Sequence, residues 1–226
     1  MTTPRRPPAL ITAKILLSEY RKGHFPMAEA RNDEDVYWLD PEWRGILPLN
    51  EFQTPKRLAR TMRSSKFSVT VDTVFEMVIS QCAATGHQRT NTWINQLIER
   101  SYINLFGQGH AHSVEVWDGK ELVGGLYGVS IGGAFFGESM FSRRTDASKI
   151  ALVHLAARLR AGRYKLLDSQ FITEHLKQFG AIEIARDHYK ALLATALKTD
   201  ADFYVLGGTG AVLAAGAVLQ PTTQTS

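Results

Sequence analysis

The sequence contains a single cysteine, Cys82, so an internal disulfide is impossible and folding requires no oxidising compartment. Cys82 shares one apolar helical stripe with Val78 and Ile79, which favours a buried structural thiol over a nucleophile. Long hydrophobic runs are also scarce. The uncharged stretch 203–219 is short and interrupted by glycines, which favours a flexible tail over a membrane span.

A strong excess of one charge is missing too, because 26 basic and 22 acidic residues leave a formal net charge of +4. This mild excess permits a nucleic-acid partner without requiring one. No apolar run of the signal-peptide type follows residues 1–8. We therefore expect a soluble, cytoplasmic protein with no membrane partner.

The proline content and the apolar periodicity of the sequence change near residue 66. The first 66 residues are broken by prolines, whereas regular apolar periodicities begin at residue 67. This change predicts a small N-terminal domain (1–66), a main domain (67–197) and a flexible C-terminal tail (198–226).

Residues 67–197 predict an α+β domain with a mixed sheet. The first predicted elements are a strand at 67–71, a helix capped by Asp72 and ending at Gly86, and a helix from Asn91 or Thr92 to Gly107. A three-strand meander follows, which includes 122–129 and 134–141 and has a hairpin turn at Asp118 and Gly119. The remaining elements are a helix at 148–160, a strand at 164–170, a short helix at 173–178, a strand at 182–185 and a helix at 187–197. The helix between the meander and the next strand implies a parallel crossover. This order is that of the N-acetyltransferase-like fold.

Polar residues interrupt two of the apolar strands. Glu138 lies within strand 134–141, and Asp168 and Gln170 lie two apart at the end of strand 164–170, so they share a face. A carboxylate and an amide at a strand end can position a reacting amine. The same groups can also simply bond to the following loop, so both interpretations stay open at this point.

A basic segment without acidic residues spans 56–66. It carries Lys56, Arg57, Arg60, Arg63 and Lys66. On a helix, three of these cations share one face, which suits a phosphate backbone as well as a solvated surface.

Three familiar chemistries lack their motifs. His110 and His112 form a two-residue-spaced pair without further metal ligands at a recognisable spacing, so we expect no metal. Ser139 lacks the second glycine of a nucleophile elbow. Gly107 and Gly109 have no third glycine at the dinucleotide spacing, because His112 stands there.

Short motifs occur in a fixed order along the chain, at 20–26, Trp38, Arg44, 92–94, 109–117, 122–128, 136–142, 147–149 and 167–170. Together they resemble the motifs of the bacterial leucyl/phenylalanyl-tRNA–protein transferases. The resemblance extends over roughly residues 15 to 197. It implies a small N-terminal domain packed on an acetyltransferase-like domain. It also implies transfer of Leu, Phe or Met from aminoacyl-tRNA to proteins with N-terminal Arg or Lys, which marks them for the N-degron pathway.

The resemblance also assigns site residues. Asp168, Gln170 and Glu138 fall on the family's active-site positions, with Ser169 replacing a middle cysteine. The resemblance places substrate-binding positions at Trp93 and Leu126, and Trp38 also matches the family. Phe136 is a further candidate because the amino-acid side chain needs an apolar pocket, and the basic segment 56–66 is expected to contact tRNA because of its charge. Met27 and Leu39 stand where the family often has tryptophan, so this part of the aromatic wall differs.

An aminoacyl ester is already activated, so we expect no cofactor, neither ATP nor CoA nor a metal. Gln170, held by Asp168, accepts a hydrogen bond from the attacking amine in one hypothesis, while Glu138 binds nearby cationic or polar groups. In the other, the terminal hydroxyl of the tRNA carries the proton. A CoA-dependent N-acetyltransferase is disfavoured because 143–149, where its pyrophosphate loop would lie, contains no glycine. A non-catalytic RNA-binding protein is the remaining alternative.

Overall fold

The computed structural model describes residues 10–84 and 91–219, and it forms a mixed α+β structure. The helices are α1 (Ala13–Lys22), α2 (Lys56–Ser64), α3 (Phe75–Ala83), α4 (Gln96–Gly107), α5 (Ala147–Ala161), α6 (Glu174–Lys177) and α7 (Arg186–Ala196). The strands are β1 (Phe25–Met27), β2 (Tyr37–Leu39), β3 (Trp43–Ile46), β4 (Ser68–Val71), β5 (Ala111–Asp118), β6 (Glu121–Ile131), β7 (Ala134–Ser142), β8 (Leu166–Gln170), β9 (Ile182–Ala185) and β10 (Leu213–Ala214). A 3₁₀ turn at Ala217–Leu219 follows.

An eight-stranded sheet organises the fold, in the order β10-β4-β5-β6-β7-β8-β3-β9. Its neighbouring strands are antiparallel except for β7 and β8, which run parallel because α5 crosses over between them. Helices α1, α3, α4 and α7 contribute to one apolar core, and α2 and α5 contribute to the other. The predicted mixed α+β class is confirmed.

The meander follows the turn signals of the sequence. Gly119 adopts φ +61° in the two-residue turn between β5 and β6, and Gly132 adopts φ +56° between β6 and β7. Both conformations favour glycine, so these residues define where the strands reverse. Cys82 is fully buried on α3, in agreement with its predicted structural role.

The predicted starts of two helices are wrong. Asp72 does not cap α3, which begins at Phe75. Its carboxylate instead accepts the backbone N–H of Ser113 at 2.7 Å and contacts His112 Nδ1 at 2.7 Å. Similarly, α4 begins at Gln96 because Asn95 caps it, accepting from the N–H of Ile98 at 2.8 Å. Gly86 lies outside the described residues.

The N-terminal region contributes to the main sheet. Strand β3 lies between β8 and β9, and α1 contacts α4 and α7. The sheet therefore crosses the predicted boundary at residue 66. The division into an N-terminal and a main domain stays a prediction.

The described part of the C-terminal segment packs on the sheet, unlike the flexible tail expected from its composition. Phe203 is buried and stacks on His112 with 4.0 Å between ring centroids. Arg158 donates through Nη1 to the carbonyl oxygens of Phe203 and Gly207, both at 2.8 Å. This buried cation and the pairing of β10 with β4 fix the segment. None of the helices in the described residues is long and apolar enough to span a membrane.

Candidate active site

A cavity of about 560 Å³ opens beside the carboxyl end of β8. Most of its walls are apolar. They include Met27, Trp93, Leu126, Leu152, Leu155 and Leu176. Its polar lining includes Glu138, Asp168 and Gln170. The structure thus brings together the three residues that the sequence predicts as catalytic, and it places Trp93 and Leu126 on the same cavity.

The parallel pairing of β7 and β8 explains why these polar residues meet. Phe136 lies opposite Asp168 in the register, so Glu138 and Gln170 each follow two residues later on neighbouring strands. The amide end of Gln170 lies 3.4 Å from Glu138 Oε1. A crossover connection by α5 is therefore what assembles the site from two distant parts of the chain.

Asp168 is fully buried, and both oxygens of its carboxylate accept hydrogen bonds from other groups of the protein. Arg44 Nε lies 2.9 Å from Oδ1 and 3.2 Å from Oδ2, and Arg44 Nη2 donates to Oδ2 at 2.6 Å. The hydroxyl of Tyr189 donates to Oδ2 at 2.6 Å, and the backbone N–H of Gln170 donates to Oδ1 at 2.8 Å. Asp168 therefore organises the site and does not offer a vacant acceptor to a substrate.

Arg44 is itself enclosed. Its Nη1 donates to the carbonyl oxygen of Gly23 at 3.0 Å, and its guanidinium lies over the rings of Phe25 (4.5 Å) and Tyr189 (4.6 Å). Burial alone would lower the pKa of Arg44, but the charge and hydrogen bonds of Asp168 outweigh it and raise the pKa. The sequence indicates Arg44 only as one of the positions that match the family, and it assigns this residue no role.

Gln170 has a left-handed backbone, with φ +58°. Its side-chain amide fits its surroundings when Nε2 donates to the carbonyl oxygens of Gly137 (2.8 Å) and Ser169 (3.1 Å). That orientation turns Oε1, a hydrogen-bond acceptor, toward Glu138. An acceptor is what a nucleophilic amine needs beside it.

Glu138 is held by two buried tyrosines. Tyr20 donates to Oε1 at 2.7 Å and Tyr102 to Oε2 at 3.1 Å, and the two phenol oxygens also contact each other. Burial raises the pKa of Glu138 to about 8; the tyrosine hydrogen bonds oppose this and the charge of Asp168 adds to it. A carboxyl group with this pKa can exchange a proton near neutral pH. The sequence indicates Tyr20 only as part of the motif 20–26, and Tyr102 only as part of the helix predicted to end at Gly107.

Two predicted substrate-binding residues lie away from the cavity lining. Phe136 is fully buried and packs on the ring of Tyr20 with 4.7 Å between centroids, so it supports the site from behind. Trp38 pairs with Pro26 in the β1–β2 sheet and packs on the core. Direct contact of either residue with a substrate stays a prediction.

A second cavity of about 570 Å³ adjoins the first, because Met27 and Trp93 line both. Tyr37 and Leu39, the neighbours of Trp38, also line it. Met27 and Leu39 are the positions where this sequence departs from the aromatic residues common in the family it resembles. The departures therefore cluster around one space.

The predicted basic helix is present as α2. Buried Leu58 and Met62 pack its inner face against the core that includes α5. All five basic side chains of the segment are exposed: Lys56, Arg57, Arg60, Arg63 and Lys66. No ion pair links them to an acid within residues 10–84 and 91–219.

His112, considered for a metal pair in the sequence, is buried and bonded to Asp72. Across the described part of the chain, no group of three or more His, Cys, Asp or Glu residues is placed to hold a metal ion.

A mixed α+β fold whose apolar cavity carries a buried amide and a carboxyl group of raised pKa is typical of an enzyme with its active site in that cavity. A model of the family described as leucyl/phenylalanyl-tRNA protein transferase matches residues 46–194. The chain belongs to this family.

Bacterial proteins with the same name are similar over nearly their full length. The one from Caulobacter vibrioides (strain NA1000 / CB15N) is 59% identical over 201 residues, which cover 88% of this chain and 93% of the relative. The one from Paramagnetospirillum magneticum is 58% identical over 193 residues, which cover 85% of this chain and 92% of the relative. The one from Afipia carboxidovorans is 52% identical over 217 residues, which cover 95% of this chain and 96% of the relative.

Proposed function

We propose that this enzyme transfers Leu or Phe, and also Met, from aminoacyl-tRNA to the α-amino group of an acceptor protein. The observation that carries the proposal is the apolar cavity whose polar lining includes Gln170 and Glu138. The cavity takes the side chain of the amino acid, while these polar residues receive the ester and the attacking amine. The shared name of its close relatives supports the same substrates.

The reaction forms a C–N amide bond and breaks the C–O ester bond to the terminal ribose. The attacking amine donates a hydrogen bond to Oε1 of Gln170, and Glu138 accepts its proton. Glu138 then gives this proton to the oxygen of the leaving ribose hydroxyl as the C–O ester bond breaks, which returns Glu138 to its starting state. Because the pKa of Glu138 is about 8, its carboxylate is comparable in basicity to an α-amino group, which titrates at about 7.7–8.0. In the alternative route, a ribose hydroxyl carries the proton and the protein only positions the two substrates.

Selectivity among the amino acids comes from the fit of their side chains. Trp93, Leu126 and Leu155 contact the side chain of the amino acid through apolar surfaces, and an apolar side chain offers no polar group for the protein to recognise. A methylene in such a pocket is worth about 1–3 kcal/mol, so discrimination between Leu, Phe and Met is shallow.

The acceptor carries N-terminal Arg or Lys, and the product enters the N-degron pathway. This part of the proposal depends on the family resemblance. The basic segment 56–66 contacts the tRNA backbone, which its exposure and its lack of acidic partners among the described residues support. We also interpret the β7–α5–β8 crossover as the core of an N-acetyltransferase-like domain, with residues 1–66 as a smaller domain packed on it.

The test is transfer of labelled Leu and Phe from charged tRNA to a peptide that begins with Arg. An otherwise identical peptide beginning with Ala, and acetyl-CoA as donor, are the controls. Transfer from tRNA to the Arg peptide alone is the expected result. Acetylation would support the CoA-dependent alternative, and tRNA binding without any transfer would support the RNA-binding alternative.

A further inference from the structure

Gln170 has a backbone conformation that a side chain of its kind seldom adopts. Its φ of +58° lies in the left-handed region, which Gly and Asn occupy more readily than Gln. Such a conformation persists only where the surrounding structure enforces it. The backbone N–H of Gln170 donates to Asp168 Oδ1 at 2.8 Å, and this bond closes the turn at the end of β8.

The carboxylate that closes this turn cannot rotate freely. Arg44 contacts both of its oxygens through a guanidinium fork, and the hydroxyl of Tyr189 donates to Oδ2 at 2.6 Å. Arg44 and Tyr189 therefore fix Oδ2, Arg44 Nε also holds Oδ1, and Oδ1 stays directed at the N–H of Gln170. A bidentate arginine provides this geometric definition where a lysine would not.

The two residues that hold Asp168 are also locked. The Arg44 guanidinium lies over the rings of Phe25 and Tyr189, and its Nη1 is bonded to Gly23. Tyr189 is 1% exposed, and burial followed by the charge of Asp168 raises the pKa of its phenol, so the hydroxyl keeps its proton. Because Phe25 lines the cavity, the same cluster connects the cavity wall to the turn that carries Gln170.

We infer that Arg44 and Tyr189 are positioning residues for the transfer reaction. They orient Asp168, which in turn holds Gln170 in the left-handed conformation that presents its amide to the reacting amine. Neither residue lines the cavity. The inference depends on the proposed function for its catalytic consequence, but its structural part can be measured without any substrate.

The experiment compares Tyr189→Phe with Tyr164→Phe as a matched control. Tyr164 is also a buried tyrosine whose hydroxyl makes one hydrogen bond, to Ser130 Oγ at 2.7 Å, and it does not line the cavity of the site. Each substitution removes one hydroxyl and keeps the ring. We expect Tyr189→Phe to lower kcat about tenfold, with the KM values for tRNA and peptide unchanged, because misplaced groups cost rate rather than binding. We expect Tyr164→Phe to leave kcat unchanged.

Hydrogen exchange at the backbone amide of Gln170 provides the second readout. Exchange should be faster in Tyr189→Phe than in wild type and unchanged in Tyr164→Phe. Equal kcat and equal exchange in both variants, or equal losses in both, would overturn the inference. If the wild-type protein transfers nothing, the proposed function fails, while the exchange measurement still decides whether Tyr189 positions Gln170.

Arg44→Lys serves as the second variant and keeps the inference testable if Tyr189→Phe fails to fold. The lysine retains the positive charge beside Asp168 but lacks the planar guanidinium that donates to both carboxylate oxygens. The expected result is a loss of kcat of about 100-fold with tRNA affinity retained. Wild-type kcat in this variant would contradict a positioning role for Arg44.

Discussion

Replacing Arg44 with methionine should destabilise the protein strongly. The side chains of Arg44 and Asp168 are 1% and 0% exposed, so the substitution leaves a carboxylate buried without its cation. Removing one partner of a buried pair costs about 3–5 kcal/mol. In a protein of this size, that lowers Tm by roughly 6–20 °C, because each kcal/mol corresponds to about 2–4 °C.

The assay is urea unfolding followed by circular dichroism, at pH 7 and constant salt. Arg100→Met, on the exposed surface of α4, is the control and should change the free energy of unfolding by no more than about 0.5 kcal/mol. The double variant Arg44→Met/Asp168→Leu should recover part of the loss, since it buries no unpaired charge. If Arg44→Met is no less stable than the Arg100 control, the buried pair of Arg44 and Asp168 does not stabilise the fold.

Three further predictions concern the carboxyl group, the cavity and the basic helix. Because burial raises the pKa of Glu138 from 4.5 to about 8, the folded state holds a proton that the unfolded state releases, and the free energy of unfolding should fall as pH rises between these values. Urea titrations at pH 5 and pH 8 should show a smaller fall for Glu138→Gln, and an identical fall would argue against the raised pKa. Leu126→Phe fills part of the cavity and should reduce kcat/KM for Phe about tenfold more than for Leu, measured with each charged tRNA; equal effects would place the amino-acid side chain elsewhere. Charge reversal of Arg60 and Arg63 should raise KM for tRNA and weaken its dependence on salt, and an unchanged salt response would exclude this helix from the interface.

Local signals predicted much of the fold. The meander follows Gly119 and Gly132, whose backbone conformations fix the turns, and the apolar spacing of α5 marks the crossover before β8. The position of β3 was beyond such reasoning. Its pairing with β8 joins residues more than 120 positions apart, and no short-range pattern encodes it.

The same distinction applies to the site. Asp168 and Gln170 could be predicted as site residues because a spacing of two puts them on the same face of one strand. Glu138 lies beside them because its strand, β7, pairs with β8. Arg44 and Tyr189 were missed as functional groups because only tertiary packing brings β3 and α7 to Asp168. The packing of the described C-terminal residues could not be predicted, because their glycines indicate flexibility, whereas two of their carbonyl groups accept hydrogen bonds from a buried arginine on α5.

The central claim is that aminoacyl transfer takes place where Gln170 meets Glu138. Its most direct test is the single-turnover rate of Gln170→Ala with Leu-charged tRNA and a peptide that begins with Arg, together with the affinity for the tRNA. We expect a rate at least about 100-fold below wild type with unchanged tRNA affinity. A wild-type rate in Gln170→Ala would contradict it.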